Sequence, residues 1–156
     1  MNGFEQVPVD HYIRPLWQAM WDSSLIEKPG REKYCVGNTK FHEFHTEYVK
    51  SFFKAYPDTP KFAFSFMGEL SHNDNNPAEY ADAAVVEMLE ELRTSGGLDN
   101  TLVIVMGDHG ARYSKVRQTT QGKLEERLPM MSLAFPPAFQ KKHKKVMQHL
   151  RANAGE

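Results

Sequence analysis

The chain is short of several things that would settle its class quickly. It has one cysteine, Cys35, in 156 residues, so no internal disulfide can form and redox compartment is left open. Neither sign of charge dominates: the formal net charge is -1, with no acidic or basic block. That removes a general electrostatic pull toward nucleic acid or an anionic membrane. No apolar run approaches membrane-spanning length, and Met1-Asn2-Gly3-Phe4-Glu5-Gln6 has neither the basic nor the apolar region of a signal peptide. Internal repeats and low-complexity tracts are absent too. What remains is a composition 40% hydrophobic, which suits a folded core. The length suits one domain or part of one.

The most informative stretch is Asp99 to Gly110. An Asp-Asn turn opens it, and Leu102-Val103-Ile104-Val105-Met106 follows as a short apolar run rich in β-branched residues. This pattern predicts a strand buried on both faces of a parallel sheet. The run stops at Gly107-Asp108-His109-Gly110. A carboxylate and an imidazole thus stand side by side at the carboxyl end of a strand, the edge where open α/β sheets bind ligands. The two glycines relax the backbone enough for both side chains to turn toward one point. An oxygen and a nitrogen donor together suit a divalent metal; taken alone, the same residues also read as a polar turn.

Periodicity places the other elements. Phe41, Phe44, Tyr48, Phe52 and Tyr56 recur at helical steps, predicting a helix over Thr39–Tyr56 capped by Asn38. His42 and His45 on it read as solvated or half-buried positions rather than a metal pair. In Lys61–Met67, Phe62, Phe64 and Phe66 alternate with smaller residues, predicting a strand that leads into the polar loop Gly68 to Asp74. Pro77–Ser95 reads as a helix with an apolar stripe from Ala81 to Leu92 and a solvated face carrying Glu87, Glu90 and Glu91. Strand, helix and the Thr101–Met106 strand would form a right-handed crossover, bringing both polar loops to one sheet edge. Arg112 to Lys123 reads as a polar, basic loop, Met130–Phe135 as a third strand, and Ala138–Arg151 as a lysine-rich surface helix. Residues 1–36 form an irregular aromatic lead-in with a short helix from Pro15 to Asp22, and 37–153 the α/β core.

Asp99 to Gly110 follows the pattern "DNTxVIxxxDHG" and resembles the metal-binding segment of the sulfatase and alkaline phosphatase superfamily. The closest likeness is to animal sulfatase-like proteins filed as a domain of unknown function, and Asp10 to Pro15 matches the "DHYxRP" stretch of that branch. The likeness runs from about Phe4 to Pro136 and is most specific between Phe62 and Pro129. It implies a parallel α/β sandwich of the alkaline phosphatase-like type, of which this chain would be the C-terminal portion, since such domains need several hundred residues.

The resemblance also implies roles. Asp108 and His109 would be ligands of a divalent metal, whether zinc, manganese or calcium. His72, after Ser71 in an "SH" loop, would face the substrate or a second metal as the catalytic histidine. Lys123, in a "K…ExRxP" passage ending at Pro129, would contact an anionic phosphate or sulfate ester, with Arg112 as a second contact; Glu126 and Arg127 would hold the loop to the fold. Glu69 and Asp74 are further candidate ligands, and Asp82 reads as structural. Extracellular or secretory placement follows from the same likeness. The early metal-binding acids and the hydroxyl or modified-cysteine nucleophile have no counterpart before Phe62, and Cys35 lies outside a "CxPxR" context. The expected function is therefore the C-terminal part of a metal-dependent phosphoric or sulfuric ester hydrolase or transferase, inactive alone. The alternative is a non-catalytic pseudoenzyme remnant serving as an extracellular binding or structural module.

Overall fold

The computed structural model describes residues 4–22, 35–36 and 38–155. Pro29, Gly30 and Tyr34 of the aromatic lead-in lie outside the described residues. In chain order the elements are α1 (Arg14–Asp22), β1 (Cys35–Val36), β2 (Thr39–Lys40), α2 (Phe41–Ala55), a 3₁₀ turn (Asn76–Ala81), α3 (Asp82–Thr94), β3 (Val103–Met106), a second 3₁₀ turn (Lys115–Gln118), α4 (Thr120–Arg127), β4 (Met131–Ala134), α5 (Pro137–Lys142) and α6 (Lys144–Ala154).

The parallel sandwich is not what forms. About half of the described residues are helical. The strands belong to two small sheets, each an antiparallel pair: β1 with β2, and β3 with β4 in the register Val103 opposite Ala134 through Met106 opposite Met131. Lys61–Met67, another expected strand, has no ladder among the described residues, so no crossover unit is present there. Its alternation was read correctly, for the Phe64 and Phe66 rings stack 6.5 Å apart as i,i+2 residues on one side do. A strand, however, is completed by a neighbour's hydrogen bonds, and period-2 patterning names neither the neighbour nor its direction.

The helices obey their stripes more closely. α2 starts at Phe41, one residue after its cap Lys40, whose N–H bonds Glu43 Oε2 at 3.4 Å while its amine reaches Glu43 Oε1 at 3.1 Å. One side of α2 takes α1: Trp17 packs on Phe41 and Phe44 at 5.2 and 5.3 Å and stacks on His45 at 5.0 Å. The next side takes α3. There Lys50, its side chain 11% exposed, meets Glu47 at 2.5 Å, Glu91 at 3.0 Å and Glu87 at 3.8 Å. Glu87 and Glu91 stay exposed, as expected of the solvated face, and from its border they reach Lys50 on α2. Glu47 and Glu91 push the Lys50 amine well above the usual lysine range by accepting its hydrogen bonds. Leu92 and Phe41 are buried near this seam, and Leu70 closes the loop that follows the phenylalanine segment.

Two expected helices are broken. Before α3 the chain winds as a 3₁₀ turn beginning at Asn76, with Pro77 inside its first turn. The C-terminal helix divides at His143, whose backbone leaves helical geometry. One helix, α4, replaces what reads as loop.

Candidate functional site

β3 delivers Gly107 to Gly110, and hydrogen bonds fix both ends of that segment. Gly107 N–H donates to Met130 O at 3.0 Å, extending the β3–β4 ladder, and Gly110 N–H donates to Glu126 O at 3.0 Å, tying the segment to α4. Neither glycine has positive φ, so backbone freedom is not why they are there. The need at Gly110 is room. A Cβ there would stand 2.3 Å from Glu125 O and 2.7 Å from Glu126 Cα, so only glycine lets the segment lie flush on α4.

Asp108 and His109 are exposed between those anchors. Asp108 Oδ1 accepts from the His109 backbone N–H at 2.9 Å. His109 Nδ1 lies 2.7 Å from Gly110 O. A carbonyl only accepts, so Nδ1 carries a proton, and Nε2 is the ring nitrogen left for a metal to take. Nε2 sits 3.5 Å from Asp108 Oδ2. Two donors each about 2.1 Å from one divalent ion at a tetrahedral angle stand about 3.4 Å apart, so this pair has the bite for a single cation. Asp108 and His109 are thus the residues able to hold the implied metal. No group of three or more His, Cys, Asp or Glu side chains converges among the described residues, so the pair stands without a third protein ligand there.

His72 follows a different partnership. Its N–H donates to Gly68 O at 3.0 Å, its Nδ1 lies 2.9 Å from Asn73 Oδ1, and its ring lies 5.5 Å from Tyr113. The turn that holds it thus sits beside the segment following Gly110, but His72 does not complete a metal cluster with Asp108 and His109. Asp74 accepts from Asn76 N–H at 3.1 Å and serves the turn.

Lys123 and Arg112 do come together. Both line a cleft of about 440 Å³ formed by the 112–118 segment and α4. Lys115, Arg117 and Arg127 line it as well, as do Tyr113 and Glu126. Glu126 holds the Arg117 guanidinium at 2.7 Å. That bond keeps the Glu126 carboxyl below its ordinary range and Arg117 above its own. Arg117 is thereby neutralised, and the cleft remains strongly positive.

The family model described as "Protein of unknown function (DUF229)" matches residues 1–156. The chain belongs to that family. Neither the curated proteins nor the solved structures give a match.

In this DUF229 chain the sequence reading missed α4, and with it the cationic face Lys115, Arg117 and Arg127 adds to the cleft. The signal was present. Thr119 is a good cap, and its Oγ1 accepts from Gly122 N–H at 3.0 Å. Gln121 and Glu125, one helical turn apart, bond at 2.8 Å. Gly122 disguised the helix as a loop, yet a Cβ there would stand 2.0 Å from Val116 O. It is the glycine that lets α4 seat on the 3₁₀ turn.

The remaining histidines have other work. His11 Nε2 bonds Tyr56 Oη at 2.8 Å and its ring packs on Phe52 at 5.5 Å, joining the N-terminal segment to the end of α2. His42 is 3% exposed, and neither its Nδ1 nor the buried Nε2 of His45 has a hydrogen-bond partner among the described residues. Burial lowers the pKa of both, against the opposing fields of Glu43 on His42 and Glu69 on His45. His45 is half-buried, within the range expected of it, whereas His42 is more buried than that.

Proposed function

We propose that this chain supplies the metal-binding pair and the anion-binding cleft of a sulfatase-like phosphoric or sulfuric ester hydrolase. One observation carries the reading. The Gly110 N–H bond to Glu126 O seats the Asp108–His109 donor pair against the helix that carries Lys123. A donor pair with the bite for a divalent ion and a cation-lined cleft are therefore joined through one residue. Family membership and the likeness of the Asp99 to Gly110 segment to sulfatases support the same reading. A divalent cation held by Asp108 and His109 would supply charge where negative charge develops on an ester oxygen. Lys123 and Arg112 would hold the anionic ester, Arg112 with a planar donor fork suited to a tetrahedral oxyanion. His72, one ring away through Tyr113, would serve as the catalytic histidine at the border of the cleft. Extracellular or secretory placement belongs to the same proposal. No helix among the described residues is long and apolar enough to cross a membrane.

A second reading, a non-catalytic binding module, draws on the want of a third ligand among the described residues. One set of measurements separates them. Zinc, manganese and calcium are titrated calorimetrically into the purified chain, and aryl phosphate and aryl sulfate turnover is followed with each metal. The expected result is weak binding, lost in Asp108→Ala and in His109→Ala, with no turnover, because two ligands and no identified nucleophile are present. Metal binding that survives both substitutions would overturn the site. Metal-dependent turnover lost in Asp108→Ala would show a complete active site within these residues.

A further inference from the structure

The cleft is larger and more positive than one ester group requires. Among the described residues, Arg117 is the one cation of the cleft held by a carboxylate in direct hydrogen-bond contact, and Glu126 is the one carboxylate in the lining. Arg112, Lys115, Lys123 and Arg127 remain to be matched. A sulfate or phosphate monoester brings one or two negative charges. A volume of about 440 Å³ falls in the range of small-molecule sites and is several times what one tetrahedral oxyanion fills.

The cations are also held on a fixed frame. Lys123 and Arg127 are four residues apart on α4 and so share a face, a like-charge pairing that weakens a helix in isolation. Arg127 Nη1 donates to Lys123 O at 3.4 Å, which keeps the guanidinium back along the helix toward Lys123. Lys115 opens the facing 3₁₀ turn, whose Val116 N–H is capped by Ser114 Oγ at 3.3 Å. The close seat at Gly122 sets the distance between the two sides.

We infer that this cleft binds an oligoanion carrying two or more sulfate or phosphate groups, with Lys115 and Arg127 taking a group beyond the one held by Lys123 and Arg112. The inference rests on the anion-binding half of the function proposed above and not on hydrolysis. Each added anionic group meets a cation already in place, so charge-assisted bonds form with little further ordering. Arg127 also suits the negative end of α4, so its role is judged by ligand discrimination rather than by stability alone.

Calorimetry on the full chain tests this with four probes at one ionic strength: inorganic sulfate, a trisulfated disaccharide, tripolyphosphate, and an oligoglutamate of matched charge. The expected result is an oligoanion affinity at least about tenfold above that for inorganic sulfate, the equivalent of one further charge-assisted contact. Lys115→Ala and Arg127→Ala should each remove most of that advantage while leaving the sulfate affinity within about twofold, with folding verified by circular dichroism. The disaccharide and tripolyphosphate arms distinguish a sulfated from a phosphorylated ligand. Equal affinity for sulfate and both oligoanions, or unchanged discrimination in both variants, would overturn the inference while leaving the anion site intact. Oligoglutamate binding as tightly would reduce the cleft to an unselective positive field, and that too would overturn it. If no probe binds at all, the anion-binding half of the proposed function falls with it.

Discussion

Gly110 carries more of the site than either side chain it follows. Its want of a Cβ permits the contact with α4, and its N–H supplies the bond to Glu126. Gly110→Ala would force backbone against backbone, where no flexible side chain can yield. The expected cost is about 1–3 kcal/mol, the range for overpacking a close contact. Thermal unfolding would register it, and metal titration should weaken together with anion binding because one segment seats both. An alanine variant with unchanged melting temperature would show that the two elements are not in contact. His42 and His45 give a second expectation at this scale. Burial depresses both pKa values relative to the unfolded chain. Their contribution to stability is therefore full above the ordinary imidazole value of 6.5 and is lost as pH falls through their folded-state values. Lys40 adds to the depression at His42; Glu43 there and Glu69 at His45 act against it. The urea midpoint should fall from pH 7 toward pH 5. The His42→Leu, His45→Phe double variant keeps the Trp17 stack as an aromatic pair and should flatten that slope. Parallel slopes in the two proteins would exclude the histidines as its cause.

Among the elements, α2 and α3 were the most legible because aromatic and aliphatic stripes of period 3.6 announce which face is buried. Their partner was not legible, since Glu87 and Glu91 lie beside the stripe and only the α2–α3 crossing shows that Lys50 reaches them. Lys50→Met tests that seam. The substitution keeps the length of the stem but leaves three carboxylates near one another without their cation. The melting temperature should drop, and the drop should shrink as salt screens the carboxylates. A salt-independent loss would assign the lysine's value to its methylene packing instead. α4 shows the opposite failure. Thr119, Gln121 and Glu125 carried cap and pairing signals, but Gly122 and the polar composition outweighed them. A glycine needed for close packing resembles, in sequence, a glycine needed for a turn. Asp108 and His109 were legible as a pair because both glycines and the apolar run frame them. Lys123 and Arg112 became candidate anion contacts only through the family likeness. Their shared cleft depends on α4, which the sequence reading lacked.

At the scale of the whole molecule the mismatch lies in surface. A folded chain of 17.9 kDa exposes about 8,000 Å² by the usual mass scaling, and this one exposes 12,496 Å². The difference, about 4,500 Å², is as large as the area buried in an obligate protein–protein interface. Large apolar side chains of the described residues are part of the exposed surface. Phe62 and Phe64 are 84% and 78% exposed, and Ile104, Met106, Met130, Met131 and Leu133 are exposed on and beside the β3–β4 pair. The same residues misled the fold assignment. A run rich in β-branched and aromatic residues says that a strand wants cover on both faces, and it is silent on whether the cover is present. Among the described residues β3 and β4 pair with each other alone, and most of their side chains are exposed. Uncovered apolar strands of this kind associate. The isolated chain should therefore bind a hydrophobic dye in its folded state and sediment as associated species at tens of micromolar, about the range where exposed strand edges meet. A Phe62→Ser, Phe64→Ser variant should reduce both signals with little change in melting temperature, because side chains already in solvent contribute little to the folded state. A protein that stays monomeric and dye-silent at those concentrations would show that the exposed apolar surface is covered within one chain. The expectation separates the two halves of the molecule: the α1–α2–α3 helices close on themselves through Trp17, Phe41, Lys50 and Leu92, whereas the β3–β4 half, which carries Asp108 and His109, exposes the apolar surface that a partner would cover.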